Sequence, residues 1–225
     1  MIDTETVNAV IERGRAVTRF GAIDPKRTAL LVIDLQNGFM LPAHPFGNPR
    51  ALALVPVVNR LAAAVRAAGG RVAFTRHTYA ESGPRAVAPW QAENKVIKAL
   101  AREFAKGAKA HELHDGLDVQ DGDVVMDKYR YSAFTFNSSE LHETLQALDV
   151  DTLIVTGCVA NCCCETTERD AYQLGYKVIH VADGNAGLTE EEEAATMMGV
   201  SSVCADVRPS AEVLDLLAGA AARAA

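Results

Sequence analysis

The chain has 225 residues and a formal net charge of −7, and 49% of its residues are hydrophobic against 23% charged. This composition is that of an ordinary globular protein, and the acidic surplus argues against nucleic acid or an anionic membrane as the main partner. The length is enough for one sizeable core, so we predict a single domain over residues 1–225, in which residues 1–22 form an N-terminal helical extension.

Short apolar runs alternate with amphipathic stretches along almost the whole chain. In chain order, the pattern predicts a strand at 28–34, a helix at 50–68, strands at 71–76 and 123–128, a helix at 138–148, a strand at 151–157, a helix at 163–174, a strand at 176–183, a helix at 190–198, a short apolar run at 201–205 and a final alanine-rich helix. The least regular stretch, residues 78–121, is expected to form a loop or lid. Together these elements predict a doubly wound, Rossmann-like α/β domain of three layers with a mainly parallel sheet, in which ligands bind beyond the carboxyl ends of the strands.

Four of the five cysteines lie within residues 158–164, where an apolar strand meets the start of a helix. A thiol at a helix N-terminus has free backbone N–H groups and the positive end of the helix dipole nearby, and both lower its pKa. We therefore expect a nucleophile in this segment, which reads VTGCVANCCCETTERDA over residues 155–171. The alternative is that these small side chains only fill space in the core.

The cysteines also indicate the cellular compartment of the protein. Their number is odd and most are adjacent, which does not suit a disulfide framework, so reduced thiols are expected. No apolar run approaches the roughly 20 residues of a membrane-spanning helix, and the first residues of the chain are too charged for a secretory signal. We therefore predict a cytoplasmic protein without a membrane partner.

Three polar residues fall at or just beyond the carboxyl ends of three predicted strands: Asp34, Lys128 and Cys163. Their side chains would project into one crevice, where a partly desolvated carboxylate can act as a base toward a thiol. A neighbouring lysine would favour both the carboxylate and the thiolate. Taken singly, Asp34 could be a turn or cap residue and Lys128 a solvated strand end. Taken together, the three predict an activated nucleophile with its own acid–base group.

Three stretches carry motifs of a known family. They read TALLVIDLQNGF at 28–39, DKYRYSAF at 127–134 and TGCVANCCCETTERDAYQLGYKVIHVAD at 156–183. Together they resemble the isochorismatase-like cysteine hydrolases, which include nicotinamidases, N-carbamoylsarcosine amidohydrolase and ureidoacrylate amidohydrolase. The resemblance implies that Cys163 is the nucleophile, Asp34 the general base and Lys128 the third member of a catalytic triad.

The resemblance also implies an oxyanion hole formed by the backbone N–H groups of Val159 and Cys163, with a cis peptide bond between Cys158 and Val159. The neighbouring Cys162 and Cys164 stand where the family has apolar residues, so they are interpreted as packing residues. The implied chemistry is an amide hydrolysis that passes through a thioester on Cys163 and releases ammonia.

The KYRYSAF run is more similar to the N-carbamoyl and ureidoacrylate amidohydrolases than to the nicotinamidases, so we expect a small amide, ureido or N-carbamoyl substrate. A nicotinamidase-like enzyme or an isochorismatase acting on a vinyl ether stays open as an alternative on the same scaffold, although the presence of Cys163 favours amide chemistry. A thiol redox sensor or metal-binding protein that uses Cys158, Cys162, Cys163 and Cys164 is an alternative of a different class.

The metal-binding pattern of the family's nicotinamidases is missing, since only His44 and His77 lie near the corresponding positions. We therefore expect no metal and no cofactor. His111 and His114 have helical spacing but no partner ligands, and we expect them on a solvated face. Because members of the family commonly form dimers or tetramers, the resemblance implies a homo-oligomer that acts on a small molecule.

Several further residues near these motifs are candidates for binding the substrate. They are Asn37, Phe39, His77, Trp90, Tyr129, Tyr131 and Asn161. His77 could equally be an ordinary loop histidine, and Trp90, which lies in the expected lid, could cover a substrate or anchor the lid to the core.

Overall fold

The protein forms a six-stranded sheet with the strand order β3-β2-β1-β4-β5-β6, in which all strand pairs are parallel. The strands are β1 Thr28–Ile33, β2 Arg71–His77, β3 Val124–Lys128, β4 Thr152–Cys158, β5 Lys177–Ala186 and β6 Asp206–Arg208. This computed structural model describes residues 4–224, with side chains for residues 4–16 and 18–220. The predicted α/β class with a parallel sheet is confirmed.

Helices cover both faces of the sheet. They are α1 Thr4–Thr18, α2 Asn37–Met40, α3 Pro49–Leu52, α4 Val55–Ala67, α5 Pro89–Ala92, α6 Lys95–Glu103, α7 Leu141–Ala147, α8 Glu165–Gln173, α9 Glu190–Ser201 and α10 Ser210–Ala224. Among the described residues, none of the helices combines the length and apolar character that crossing a membrane requires. Helix α1 lies within the predicted extension, of which residues 1–3 are outside the described residues.

Two separate hydrophobic cores arise because successive side chains of a strand point to opposite faces of the sheet. From β1, Leu30 and Val32 pack in the core that includes α4 and α10, whereas Leu31 and Ile33 pack in the core that includes α7, α8 and α9. The order of the strands reverses between β1 and β4, and in such a sheet this switch point opens a crevice beyond the strand ends. The residues that follow β1 and β4 therefore meet there.

A glycine lets β4 approach β1 at this crevice. Gly157 has φ +134°, and a Cβ atom at this position would lie 2.1 Å from the carbonyl oxygen of Ile33. Any side chain would clash with the backbone of β1, so glycine is required at this point, next to Cys158 at the end of β4 and opposite Asp34 after β1. The pairing of β4 with β5 is irregular at the same point, between Val155 and Gly157.

Several element boundaries differ from the prediction. The single helix expected at 50–68 is divided into α3 and α4, because Pro56 lies in the first turn of α4, where its missing N–H is tolerated but its ring prevents α3 from continuing. The apolar run at 201–205 closes α9 and turns, so the sixth strand begins only at Asp206. The helix expected from Cys163 starts earlier, as a π-helical turn over Ala160–Cys164 that leads into α8.

The segment 78–121 is more regular than the predicted loop or lid. It contains α5, α6 and a 3₁₀ turn at Lys109–His111, and α6 is capped by Asn94, whose side chain accepts the backbone N–H groups of Val96 and Ile97. The expectation that His111 lies on a solvated face is wrong. Its side chain is buried, and its Nε2 lies 2.7 Å from Oγ1 of Thr78, because this segment folds back against the end of β2.

Candidate active site

Asp34 follows β1 directly and is completely buried. Its backbone adopts a left-handed conformation, with φ 54°, and its N–H donates to the carbonyl of Thr75 on β2. The hydroxyl of Thr75 donates to Oδ1 at 2.8 Å, whereas Oδ2 accepts no hydrogen bond within the described residues and lies 2.7 Å from Nζ of Lys128 as an ion pair. The carboxylate is thus fixed between the ends of β2 and β3.

Lys128 ends β3 and is also completely buried. Besides the Asp34 carboxylate, its ammonium group contacts the carbonyl of Arg130 at 3.0 Å and Nδ1 of His77 at 3.2 Å. Burial alone would lower the pKa of Lys128, but the negative charge of Asp34 and the neighbouring Cys163 outweigh it and raise the pKa above its ordinary value. Lys128 therefore stays positively charged at neutral pH.

The contact with Lys128 fixes the tautomer of His77. An ammonium group has no acceptor, so Nδ1 of His77 must accept, and the single proton of a neutral ring then lies on Nε2. Burial, and next the charge of Lys128, hold the pKa of His77 well below its ordinary range, so the ring is neutral at physiological pH. Tyr79, Tyr131 and Phe39 surround it, with ring centroids 4.9, 6.1 and 6.5 Å away.

Cys163 lies in the π turn after β4, with only 6% of its surface exposed. A carboxylate oxygen of Asp34, a ring nitrogen of His77 and Sγ of Cys163 all lie within 4.8 Å of one another. A hydrogen bond with Cys162, and then burial, raise the pKa of the Cys163 thiol, and the positive charge of Lys128 opposes them. Burial and the contact with Cys162 therefore act against the lowering of this pKa that was predicted from the helix N-terminus. The resting group is a thiol, which needs a base, and Asp34 is within reach.

The same three donor atoms form a set that could hold a metal ion, one each of oxygen, nitrogen and sulfur. However, Lys128 places its ammonium group 2.7 Å from the carboxylate and 3.2 Å from the imidazole. A fixed positive charge in this position repels a cation. The charge arrangement therefore favours a thiol–carboxylate pair over a resident metal.

The peptide bond between Cys158 and Val159 is cis, as the family resemblance implied. After this bond the chain enters the π turn, where the N–H groups of Cys162 and Cys164 both donate to the carbonyl of Val159, at 3.0 and 3.3 Å. Cys158 is buried, and its thiol donates to the backbone carbonyl of Asp34 at 3.4 Å. This hydrogen bond joins the end of β4, which leads to Cys163, to Asp34 after β1.

The structure brings only some of the predicted substrate-binding residues together. Phe39 and Tyr131 each lie near the ring of His77, whereas Asn37 is buried and its side-chain amide donates to the carbonyl of Lys109. Trp90 on α5 is 75% exposed, so it does not anchor the lid to the core of this chain.

Two other candidates have different surroundings. The ring of Tyr129 lies 4.9 Å from the guanidinium of Arg85, and Asn161 is exposed on the π turn.

Three residues that the sequence interpretation did not single out complete the site. Thr75 bonds the Asp34 carboxylate, and Tyr79 packs edge-on against His77. Gln36 is buried; its amide accepts the N–H of His77 at 2.7 Å and donates to the carbonyls of His77 and His111 at 3.1 and 2.8 Å. A polar residue inside the apolar strand RVAFTR was the available signal for Thr75, and the LQNGF motif was the signal for Gln36.

Arg130 fastens the lid to the site. Its guanidinium donates to the carbonyls of Pro84, Arg85 and Ala86, at 2.8 to 3.2 Å, and to its neighbour Tyr129 at 2.7 Å. Because the carbonyl of Arg130 itself accepts from Lys128, one residue links the lid to the buried ion pair.

A separate groove lies between α1 and α9, away from these residues. This groove of about 720 Å³ is lined by residues that include Val7, Ile11 and Met197, and it shares no residue with the group around Asp34. It offers no thiol and no base next to one, so its size does not make it the site of the chemistry.

Comparisons with known proteins agree with this geometry. The isochorismatase domain profile matches residues 28–212. The ureidoacrylate amidohydrolase RutB of Methylobacterium radiotolerans is 35% identical over 178 residues, covering 72% of this chain and 68% of that protein.

Two solved structures extend the comparison. A cysteine hydrolase from Pseudomonas syringae pv. phaseolicola superposes with a TM-score of 0.82 at 29% identity, covering 90% of this chain and 97% of that one. The N-carbamoylsarcosine amidase of Thermoplasma acidophilum superposes with a TM-score of 0.67 at 25% identity, covering 82% and 96%.

The buried ion pair predicts a specific pattern of stability. Lys128→Met leaves the Asp34 carboxylate buried without its partner and should lower the free energy of unfolding by about 3 to 5 kcal/mol, whereas the double variant Asp34→Asn/Lys128→Met should lose less than the sum of the single variants. Lys177→Met, which removes a partly exposed ion pair with Asp151, should cost at most about 1 kcal/mol. Urea denaturation of the four variants measures this, and strict additivity would contradict the pairing.

The neutral state of His77 predicts a pH effect on stability. Its pKa is well below the ordinary 6.5 in the folded protein, so the unfolded chain takes up a proton that the folded one does not as the pH falls below that value. The free energy of unfolding should therefore fall toward acid pH, by up to about 1.4 kcal/mol per pH unit from this group. His77→Gln should have a shallower slope between pH 6.5 and 5 in urea denaturation. Equal slopes would show that His77 is not buried in the neutral form.

Proposed function

Because the chain belongs to the isochorismatase family, we propose that it is a cysteine-dependent amidohydrolase that cleaves a small amide, ureido or N-carbamoyl compound and releases ammonia. The observation that carries the proposal is the convergence of Asp34, Lys128 and Cys163 from the ends of three strands onto one buried point. A thiol, a base within reach and a fixed positive charge are the parts that nucleophilic acyl transfer needs.

In the proposed reaction, Asp34 removes the thiol proton of Cys163, and the thiolate attacks the carbonyl carbon of the substrate. The tetrahedral oxyanion accepts hydrogen bonds from the backbone N–H groups of Val159 and Cys163. Asp34 then gives its proton to the departing ammonia, and a thioester remains on Cys163. Water, deprotonated by Asp34, cleaves the thioester and restores the thiol. With a ureido substrate the first product besides ammonia is a carbamate.

The charge of Lys128 lowers the free-energy cost of the first proton transfer in this buried site. When the proton moves from Cys163 to Asp34, the negative charge moves from the carboxylate to the sulfur, and both positions lie beside the ammonium group of Lys128. No net charge is created in the low-dielectric interior, so the desolvation penalty on the thiolate is largely offset.

The names of two relatives, ureidoacrylate amidohydrolase and N-carbamoylsarcosine amidase, support a ureido or carbamoyl group as the reacting part of the substrate. The aromatic surroundings of His77, with Tyr79, Tyr131 and Phe39, suit a small planar group of this kind. The neutral His77, with its proton on Nε2, would act as a hydrogen-bond donor to it.

Ammonia release tests the proposal. Purified protein should release ammonia from at least one compound in a panel of ureidoacrylate, N-carbamoyl amino acids, simple amides and nicotinamide, with turnover of isochorismate as a further arm. Cys163→Ala should reduce the rate by at least about a thousandfold, because the covalent route is lost. Cys162→Ala, which removes a neighbouring thiol that takes no part in the proposed bond formation, should stay within about tenfold of the original protein.

Other outcomes of this assay would favour one of the alternative functions. Turnover of only nicotinamide or only isochorismate would support the corresponding alternative enzyme. Silence over the whole panel, together with alkylation of Cys162 and Cys163 at equal rates, would contradict the nucleophile assignment and favour a redox or metal-binding role.

We also propose that the enzyme is a cytoplasmic homo-oligomer. All five cysteines are free thiols, which suits a reducing compartment. On the lid, Trp90 and Val96 are 75% and 57% exposed, and α6 buries none of its residues within the chain. Exposed apolar side chains in one region are typical of an interface.

Light scattering should give a mass of at least twice that of one chain. Val96→Glu should shift this mass toward that of the monomer. A monomer before substitution would contradict the proposal.

A further inference from the structure

Thr167 joins the nucleophile to the loop that follows Lys128. Its hydroxyl, completely buried on α8, donates to the backbone carbonyl of Cys163 at 2.6 Å and accepts the N–H of Ala133 at 3.1 Å. The hydroxyl proton therefore bonds the nucleophile's residue, and a lone pair of the same oxygen bonds the loop 129–139.

The loop 129–139 is held together by hydrogen bonds within it. The N–H of Tyr129 donates to the carbonyl of Ser138, and the hydroxyls of Ser138 and Ser139 donate to the carbonyls of Ser132 and Ala133 at 2.5 and 2.7 Å. Its carbonyl at Arg130 accepts from the ammonium group of Lys128. A displacement of Ala133 would therefore be transmitted toward Lys128.

Within residues 4–220, the bond from Ala133 to Thr167 is the one hydrogen bond that connects this loop to the segment 157–174. The π turn at Ala160–Cys164 departs from α-helical hydrogen bonding, and the hydroxyl of Thr167 bonds the carbonyl of Cys163 where the π turn passes into α8. The orientation of the Cys163 backbone is thus set by a side chain whose other partner belongs to the Lys128 loop.

From this geometry we infer that Thr167 is a positioning residue that sets Sγ of Cys163 relative to the Asp34–Lys128 pair, and so controls the formation of the thioester rather than the binding of substrate. The inference rests on the proposed function for its kinetic consequence. Its geometric consequence, the reactivity of the Cys163 thiol, does not depend on any substrate.

The chain offers a matched control one residue away. Thr166 also bonds a carbonyl four residues back, that of Cys162 at 2.6 Å, with a longer contact of 3.4 Å to the carbonyl of Cys163, but it makes no bond to the loop 129–139. Thr166→Val and Thr167→Val therefore remove hydroxyls of the same kind, and only the second breaks the connection to Lys128.

Thr167→Val should lower kcat at least about tenfold with KM within about threefold, because a small displacement of a reacting atom is costly while the pocket is untouched. Alkylation of Cys163 by iodoacetamide, followed by peptide mass spectrometry, should slow by a similar factor, and its pH profile should move to higher pH as the thiol leaves the charge of Lys128. Thr167→Ser keeps the hydroxyl and should restore both rates to within about threefold, and Thr166→Val should stay within the same range.

Urea denaturation and circular dichroism confirm that each variant is folded, and Thr167→Ala replaces Thr167→Val if the latter does not fold. If Cys163 in the folded variant is alkylated as fast and with the same pH profile as in the original protein, the inference is wrong, whatever the substrate panel gives. If ammonia release is absent from the original protein but the alkylation difference is present, the proposed function fails and the positioning role stands.

Discussion

The ion pair between Lys128 and Asp34 is the interaction on which the site depends. Both side chains are completely buried, so each would carry a large desolvation penalty without the other. Thr75 donates to Oδ1 of Asp34, and the carbonyl of Arg130 and Nδ1 of His77 accept from Lys128, so most of the polar atoms of the pair have partners. The pair also fixes the ends of β1, β2 and β3 relative to one another, which gives the crevice a definite shape.

The chemistry follows from where this charge lies. A buried thiol beside a buried carboxylate would be inert if ionisation created a second negative charge. A proton that moves between them only changes which of two atoms beside Lys128 carries the negative charge. The parallel sheet makes the arrangement possible, because its order reverses between β1 and β4 and brings residues 34 and 163 to one edge. The fold therefore places the carboxylate and the thiol together, and Lys128 balances the negative charge that they share.

The sequence predicted the parallel α/β sheet and the convergence of Asp34, Lys128 and Cys163, because apolar runs and strand ends are local signals. It did not predict contacts that only the tertiary fold creates. His111 has the spacing of a surface helix, yet the lid segment folds it against Thr78. The π turn before α8, and the roles of Gln36 and Thr75, depend on partners from distant elements. The raised pKa of Cys163 likewise reflects its contact with Cys162 and its burial, which a helix-terminus argument does not include.

The central claim is that Cys163 carries the acyl group of the substrate during turnover. The most direct measurement is to mix the protein with ureidoacrylate, quench with acid within the first turnovers and identify modified peptides by mass spectrometry. The account predicts a single adduct, the substrate's carbamoyl group bound to Cys163 as a thiocarbamate, and its loss on treatment with hydroxylamine. Ammonia release with Cys163 unmodified throughout, or with the adduct on another cysteine, would contradict it.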